Sequence, residues 1–241
     1  MTLNNEFLFV LHLLACGGLL LVAARQGRVG LGTVVVTCTI LMNIVVMKQF
    51  TVFGLSVTGG NVLFATVFLA NDVLNEHFGK KAARSAVYLG FAASLGVVIV
   101  GQFELLYVPN SVDDAQPHLE YFFAAQAYPR IVLASMGSYL ASQLLDTQIY
   151  HFIRGQTGTQ RLLWLRSNAS TWISQAFDTV FFTTAALTGP DSVISSWPEW
   201  RDAVVFTYLI KLIAAAGSTP FLYLTTWRPF VPAGSRRQSA A

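Results

Sequence analysis

Asp146 and Asp178 each lie inside an otherwise apolar stretch, and each ends the same pattern, Ser-x3-Ser-Gln-x2-Asp, followed by Thr. Ser138, Ser142, Gln143, Asp146 and Thr147 form the first copy; Ser170, Ser174, Gln175, Asp178 and Thr179 form the second. Residues three and four apart share a helix face, so each copy turns hydroxyl, carboxamide and carboxylate in one direction. A carboxylate at the bilayer centre costs about 3 kcal/mol on insertion scales, so neither stripe is expected to face lipid. Glue between helices accounts for Ser138, Ser170 and Thr179. It accounts poorly for two acids where amides would serve. Two consecutive helices with one polar pattern read as a pair related by approximate symmetry, an arrangement that places a solute site at the interface near the midplane.

Further polar residues join this set. Asn71 with Asn75, and Asp72 with Glu76, make two i,i+4 pairs in a third apolar segment. Glu76 sits near a membrane boundary, where charge is cheap; Asp72 lies one turn deeper. Lys211 falls near the middle of the last apolar run, too deep to snorkel easily. It is expected to pair with one of the carboxylates. Lys48 is a further isolated cation, read with Lys211 and Glu76 as a coupling or structural charge. A carboxylate accepts two parallel hydrogen bonds and therefore matches adjacent N–H donors. The amides of Gln143, Gln175 and Asn168 donate and accept, and Trp164, Trp172, Phe177, Phe181 and Tyr150 offer flat surfaces. Acids, amides and aromatics together suit a planar, base-like heterocycle.

The elements that position these residues follow from composition. Of 241 residues, 54% are hydrophobic and 11% charged, against about a quarter charged in soluble domains. A crossing needs roughly 20 apolar residues. Candidate crossings are 7–24, 31–47, 61–76, 85–108, 131–153, 171–189 and 203–226, the 61–76 segment being short and polar at its end. The expectation is an all-α, polytopic transmembrane bundle of six to seven helices, with one membrane domain over 1–228 and a disordered cytoplasmic tail over 229–241. Residues 49–60 read as a turn or hairpin and 109–129 as an acidic, aromatic loop or interfacial helix. Basic residues cluster after alternate runs: Arg25 and Arg28; Lys80, Lys81 and Arg84; Arg154, Arg161 and Arg166; Arg228, Arg236 and Arg237. Such loops stay cytoplasmic, which places the C-terminus inside.

Several classes are disfavoured. A basic nucleic-acid face on a soluble domain is absent. Cys16 and Cys38 lie in apolar runs and read as small buried hydrophobes. The four histidines are scattered, so no metal pair or Ser/His dyad is visible, and no metal or cofactor is expected. An intramembrane aspartyl enzyme would need a Gly-x-Gly-Asp type context, which Asp146 and Asp178 lack.

The motifs resemble those of the queuosine precursor transporter family, also called the vitamin uptake transporter family. The resemblance rests on Asn43-x4-Lys48, Gly54, Phe68-Leu-Ala-Asn-Asp72-x3-Glu76-x2-Gly79, Ser142-Gln143-x2-Asp146 and the run from Trp164 to Thr179. It spans about Asn43 to Lys211. It implies a bacterial inner-membrane importer of a deazaguanine base, preQ0 or preQ1, later inserted into tRNA as queuosine. It also implies a fold similar to the substrate-binding subunits of energy-coupling-factor transporters, working without the coupling ATPase. The expected binding residues are Asp146, Asp178, Gln143, Gln175, Asn168, Ser142, Ser174, Trp172, Asp72 and Asn71. Transport of another vitamin-like or nucleobase solute is the alternative, and the oligomeric state, a homodimer included, stays open. Many relatives carry Phe-Pro where this chain has Phe64-Ala65.

Overall fold

The structure is a computed structural model that describes residues 4–46, 48–124, 129–157, 162–188 and 194–227. It is an all-α bundle with one small hairpin. In chain order the elements are α1 (Asn5–Arg25), α2 (Gly27–Val45), β1 (Gln49–Val52), β2 (Leu55–Thr58), α3 (Asn61–Phe78), α4 (Lys80–Leu106), α5 (Gln116–Ala124), α6 (Pro129–Thr157), α7 (Leu163–Leu187) and α8 (Trp197–Thr225). The expected tail, 229–241, lies outside the described residues.

Helix ends follow local chemistry. Asn4 accepts a hydrogen bond from the Glu6 amide to start α1, and Ser196 and Glu199 form a reciprocal capping box at the start of α8. The α3–α4 turn depends on Gly79, whose φ of 81° suits a residue without Cβ. β1 and β2 pair antiparallel from Gln49–Thr58 to Val52–Leu55. Their two-residue turn, Phe53-Gly54, has positive φ at both positions (51° and 74°), the geometry that matches strand twist. The hairpin docks on the start of α1: Phe53 N donates to Glu6 Oε1, and Asn5 Nδ2 donates to the Thr51 carbonyl.

Among the described residues, four helices, α1, α2, α4 and α8, are long and apolar enough to cross a membrane. Their outer faces carry exposed Phe7, Leu11, Leu14, Leu89, Ile99, Phe206 and Ile213, as expected of surfaces that meet lipid tails. The other long helices, α3, α6 and α7, fall short on apolarity because they carry the polar residues. α3 is the hub. It packs against α1, α2, α4, α6, α7 and α8, and nearly all its residues are buried. The segment expected to be the marginal crossing is thus the best-covered helix, continuous through Phe64-Ala65.

Several helix boundaries differ from the sequence reading, the start of α7 by the most. α7 starts at Leu163, not at 171, so Arg166 is a buried helical residue rather than part of a solvated basic loop. Hydropathy misplaced that end because Arg166, Ser167 and Asn168 are polar yet covered by neighbouring helices. The 109–129 stretch, expected as a loop or an interfacial helix, contains the short helix α5, and Phe123 packs where Gly101 of α4 has no Cβ to obstruct its ring.

Candidate functional site

The two repeated stripes meet, and they do so crosswise. Ser138 Oγ and Ser142 Oγ of α6 donate to Asp178 Oδ1 of α7 at 2.6 and 3.3 Å. Thr171 Oγ1 and Ser174 Oγ of α7 donate to Asp146 Oδ1 of α6 at 3.3 and 3.2 Å. Ser142 and Ser174 hold equivalent places in the repeat, as do Asp146 and Asp178. Through Ser142 and Ser174 each aspartate is held by the other helix's copy, as a local two-fold relation requires, whereas Ser138 and Thr171 hold non-equivalent places.

The third partner of each aspartate breaks that symmetry. Asp178 Oδ2 receives Lys211 Nζ of α8 at 2.7 Å, and the ammonium also reaches Thr179 Oγ1 at 3.2 Å. Lys211 lies 4.5 Å from the centre of the Phe64 ring. This answers which carboxylate the deep lysine chooses, and both Asp178 oxygens are thereby occupied. Asp146 instead lies beside Asp72 of α3, for their donors Thr171 and Ser167 stand one turn apart on α7. Asp72 Oδ2 accepts from Ser167 Oγ. Asp72 Oδ1 and Asp146 Oδ2 make no hydrogen bond to a protein donor.

Beside Asp72 lies a small cavity between α3, α7 and α8, lined by Ala65, Phe68, Leu69, Asp72, Ser167, Asn168, Thr171, Ala215 and Ser218. Its volume of about 10 Å³ admits about one water, so a ring-sized solute needs the helices to part. Asn168 Nδ2 donates to the Trp164 carbonyl and to Thr219 Oγ1, leaving Oδ1 unpartnered. Pro220 sits inside α8 next to this region, where Ser218 and Thr219 face the site, and removes one backbone donor from the helix.

Other expected residues fall around this centre. Asn71 Nδ2 donates to Thr147 Oγ1 at 2.8 Å and to Gln143 Oε1 at 3.4 Å. Gln143 Nε2 and both polar atoms of Gln175 are buried without a protein partner. Buried polar atoms left unpaired cost about 1–3 kcal/mol each, a cost that a polar occupant would relieve. Two expected residues are not brought to it. Trp172 is 40% exposed on the outer side of α7, where its carbonyl accepts from Tyr208 Oη. Lys48 is exposed beside the hairpin, its carbonyl accepting from Gly59 N.

Below Asp72, Glu76 closes one end of the core. Arg166 Nη2 donates to Glu76 Oε1 at 3.0 Å, and Tyr150 Oη to Oε2 at 3.0 Å; Arg154 Nε stands 3.7 Å away. Arg154 also caps the Asn75 carbonyl at 2.6 Å.

The sequence reading missed Phe68, Arg166, Ser167 and the reach of Ser138 and Thr171 to the opposite aspartates. One signal was available: Phe64, Phe68, Asp72 and Glu76 recur every four residues and so share one face of α3. Of the aromatic residues favoured instead, Trp164, Trp172, Phe177 and Phe181 are all at least 40% exposed on the outside of α7, and the buried Tyr150 is bonded to Glu76.

Apolar faces turned outward around buried acids, amides and ion pairs are those of a multi-pass membrane transport protein. The chain belongs to the family described as "Putative vitamin uptake transporter", whose profile matches residues 58–225. It is similar to a "Probable queuosine precursor transporter" of Bacillus subtilis strain 168, at 39% identity over 220 residues covering 91% of this chain and 93% of that one. The "Queuosine precursor transporter" of Escherichia coli K12 is 27% identical over 174 residues, 71% of this chain and 73% of the relative. No solved structure matches the chain. Family and relatives are transporters, not enzymes.

Proposed function

We propose that the chain imports a queuosine precursor, a 7-deazaguanine base of the preQ0/preQ1 type, across the bacterial cytoplasmic membrane for tRNA modification. The observation that carries this reading is the cavity where Asp72 and Asn168 both keep an unpartnered oxygen against the buried Phe68 ring. A deazaguanine presents a ring N–H beside an exocyclic amine, the donor pair that a carboxylate matches. The names of the relatives point to the same solute class.

In this reading Asp72 takes the N–H edge, Asn168 and Gln175 take the remaining polar atoms, and Phe68 stacks on the ring. Gln143 and Asn71 set the α3–α6 spacing. Ser142, Ser174 and Asp178 hold α6 and α7 together, with Lys211 neutralising Asp178. Six or seven helices cross in a bundle like that of energy-coupling-factor binding subunits, with the C-terminus in the cytoplasm and no partner ATPase.

The test is ligand-dependent thermal stabilisation of purified protein by preQ0 and preQ1, set against guanine, biotin and riboflavin. Stabilisation by the deazaguanines alone supports the proposal. Stabilisation by a vitamin and not by preQ0 or preQ1 rejects it.

A further inference from the structure

The two aspartates of the repeat share a framework but not a neutralising partner. At Asp178, α8 supplies the Lys211 ammonium; at Asp146, α3 supplies a second acid, Asp72. Both Asp72 and Asp146 are fully buried (1% and 0% exposed), and among the described residues neither makes an ion pair. Two neighbouring carboxylates, held one turn apart by Ser167 and Thr171, out of water and without a cation, cannot both remain ionised. The hydroxyl donors do not remove the difficulty. They occupy Asp146 Oδ1 and Asp72 Oδ2, whereas Asp146 Oδ2 and Asp72 Oδ1 lack protein donors. A proton on one of these oxygens, donated to the other, satisfies both.

We infer that Asp72 and Asp146 form a proton-binding site, occupied by one proton shared between them, and that this proton is carried inward with each base. Asp146 is the carrier, because it lies behind Asp72 and does not line the cavity. Protonated Asp146 donates to Asp72, and the ionised Asp72 still accepts from the solute, since a carboxylate oxygen takes two hydrogen bonds. Without the proton, the site presents two repelling carboxylates and is not organised for the base. The unpartnered Asn168 Oδ1, from a residue 7% exposed and lining the same cavity as Asp72, is the independent sign that a ligand sits beside this pair. The proton comes from water on the side from which the base enters and returns to water on the other side. Only O–H bonds form and break.

Other titratable groups on the surrounding helices are committed elsewhere or stand apart. Glu76 of α3 holds Arg166 of α7 and the hydroxyl of Tyr150 of α6. His77 of α3 bonds Thr225, Tyr139 of α6 bonds Thr39, and Lys211 of α8 holds Asp178. Cys16 of α1 faces Thr66 with Cys38 of α2 beside it, and Arg84 of α4 is half-buried.

This inference rests on the importer reading, and the experiment separates the two. Purified protein is reconstituted into vesicles containing a pH-sensitive dye, and labelled preQ0 is added with and without an inward proton gradient. Expected in wild type is internal acidification of about one proton per base and faster uptake with the gradient. In Asp146→Asn, whose amide donates to Asp72 permanently, uptake no longer responds to the gradient and no acidification accompanies it. Wild-type uptake that ignores the gradient, or that follows a sodium gradient instead, overturns the proton site and leaves the importer reading intact. Absence of any preQ0 uptake overturns the importer reading and the coupling with it. Infrared spectroscopy of wild-type protein needs no variant: at neutral pH a carboxylic-acid carbonyl band is expected, weakening as pH rises. Its absence also overturns the shared proton.

Discussion

Lys211 Nζ sits 2.7 Å from Asp178 Oδ2 at the centre of the bundle, and neither side chain is more than 10% exposed. Removing one member strands the other as a bare buried charge, which costs about 3–5 kcal/mol. Lys211→Met and Asp178→Asn are each expected to lower unfolding stability in detergent by that order. The double variant should recover most of the loss, because apolar or amide groups need no counter-charge. Equal losses in the double variant and the sum of the singles would count against the pair.

The crosswise serines make a sharper forecast. Ser142→Ala removes a bond to Asp178, and Ser174→Ala removes one to Asp146, each worth about 1 kcal/mol. Double-mutant cycles should therefore show coupling between Ser142 and Asp178 and between Ser174 and Asp146. Ser142 with Asp146, on the same helix, should be closer to additive. Strong same-helix coupling and none across helices would reject the local two-fold arrangement.

Glu76 distinguishes two arginines that look alike in the sequence. Arg166 is 2% exposed at 3.0 Å, whereas Arg154 is 22% exposed at 3.7 Å. Arg166→Met should cost about 3 kcal/mol or more, as a broken buried pair does. The ion-pair part of Arg154→Met should be under about 1 kcal/mol. Chemical or thermal unfolding of the two variants side by side measures the difference.

Much of this arrangement was legible in the sequence because polar residues inside apolar runs have few explanations. The stripes ending at Asp146 and Asp178, the deep Lys211 and the hairpin at 49–60 all follow from spacing and composition. What was not legible depends on which faces meet. Arg166 looks like a loop cation until α3 supplies Glu76 to cover it. Trp172 looks like a stacking platform until α7 is seen to turn it outward. The choice of Asp178 by Lys211, and of Asp146 by Asp72, requires the positions of α8 and α3, which no periodicity within one helix reveals.

Phe68 and Trp172 test the aromatic assignment. Stacking of a base on an aromatic side chain is worth about 1–3 kcal/mol. Phe68→Ala should weaken preQ0 binding by about tenfold or more, with Phe68→Tyr largely restoring it. Trp172→Ala should leave the dissociation constant within about twofold, since that ring faces outward. The reverse ranking in equilibrium binding would move the site to the outer side of α7.

The central claim is that the buried Asp72 site passes a deazaguanine into the cell. The most direct measurement is the queuosine content of tRNA in cells that can neither make the base nor import it, supplied with preQ0 and expressing this chain. The account predicts that wild type restores queuosine and that Asp72→Ala, present in the membrane at equal amount, does not. Full restoration by Asp72→Ala, or no restoration by the wild-type chain, would contradict it.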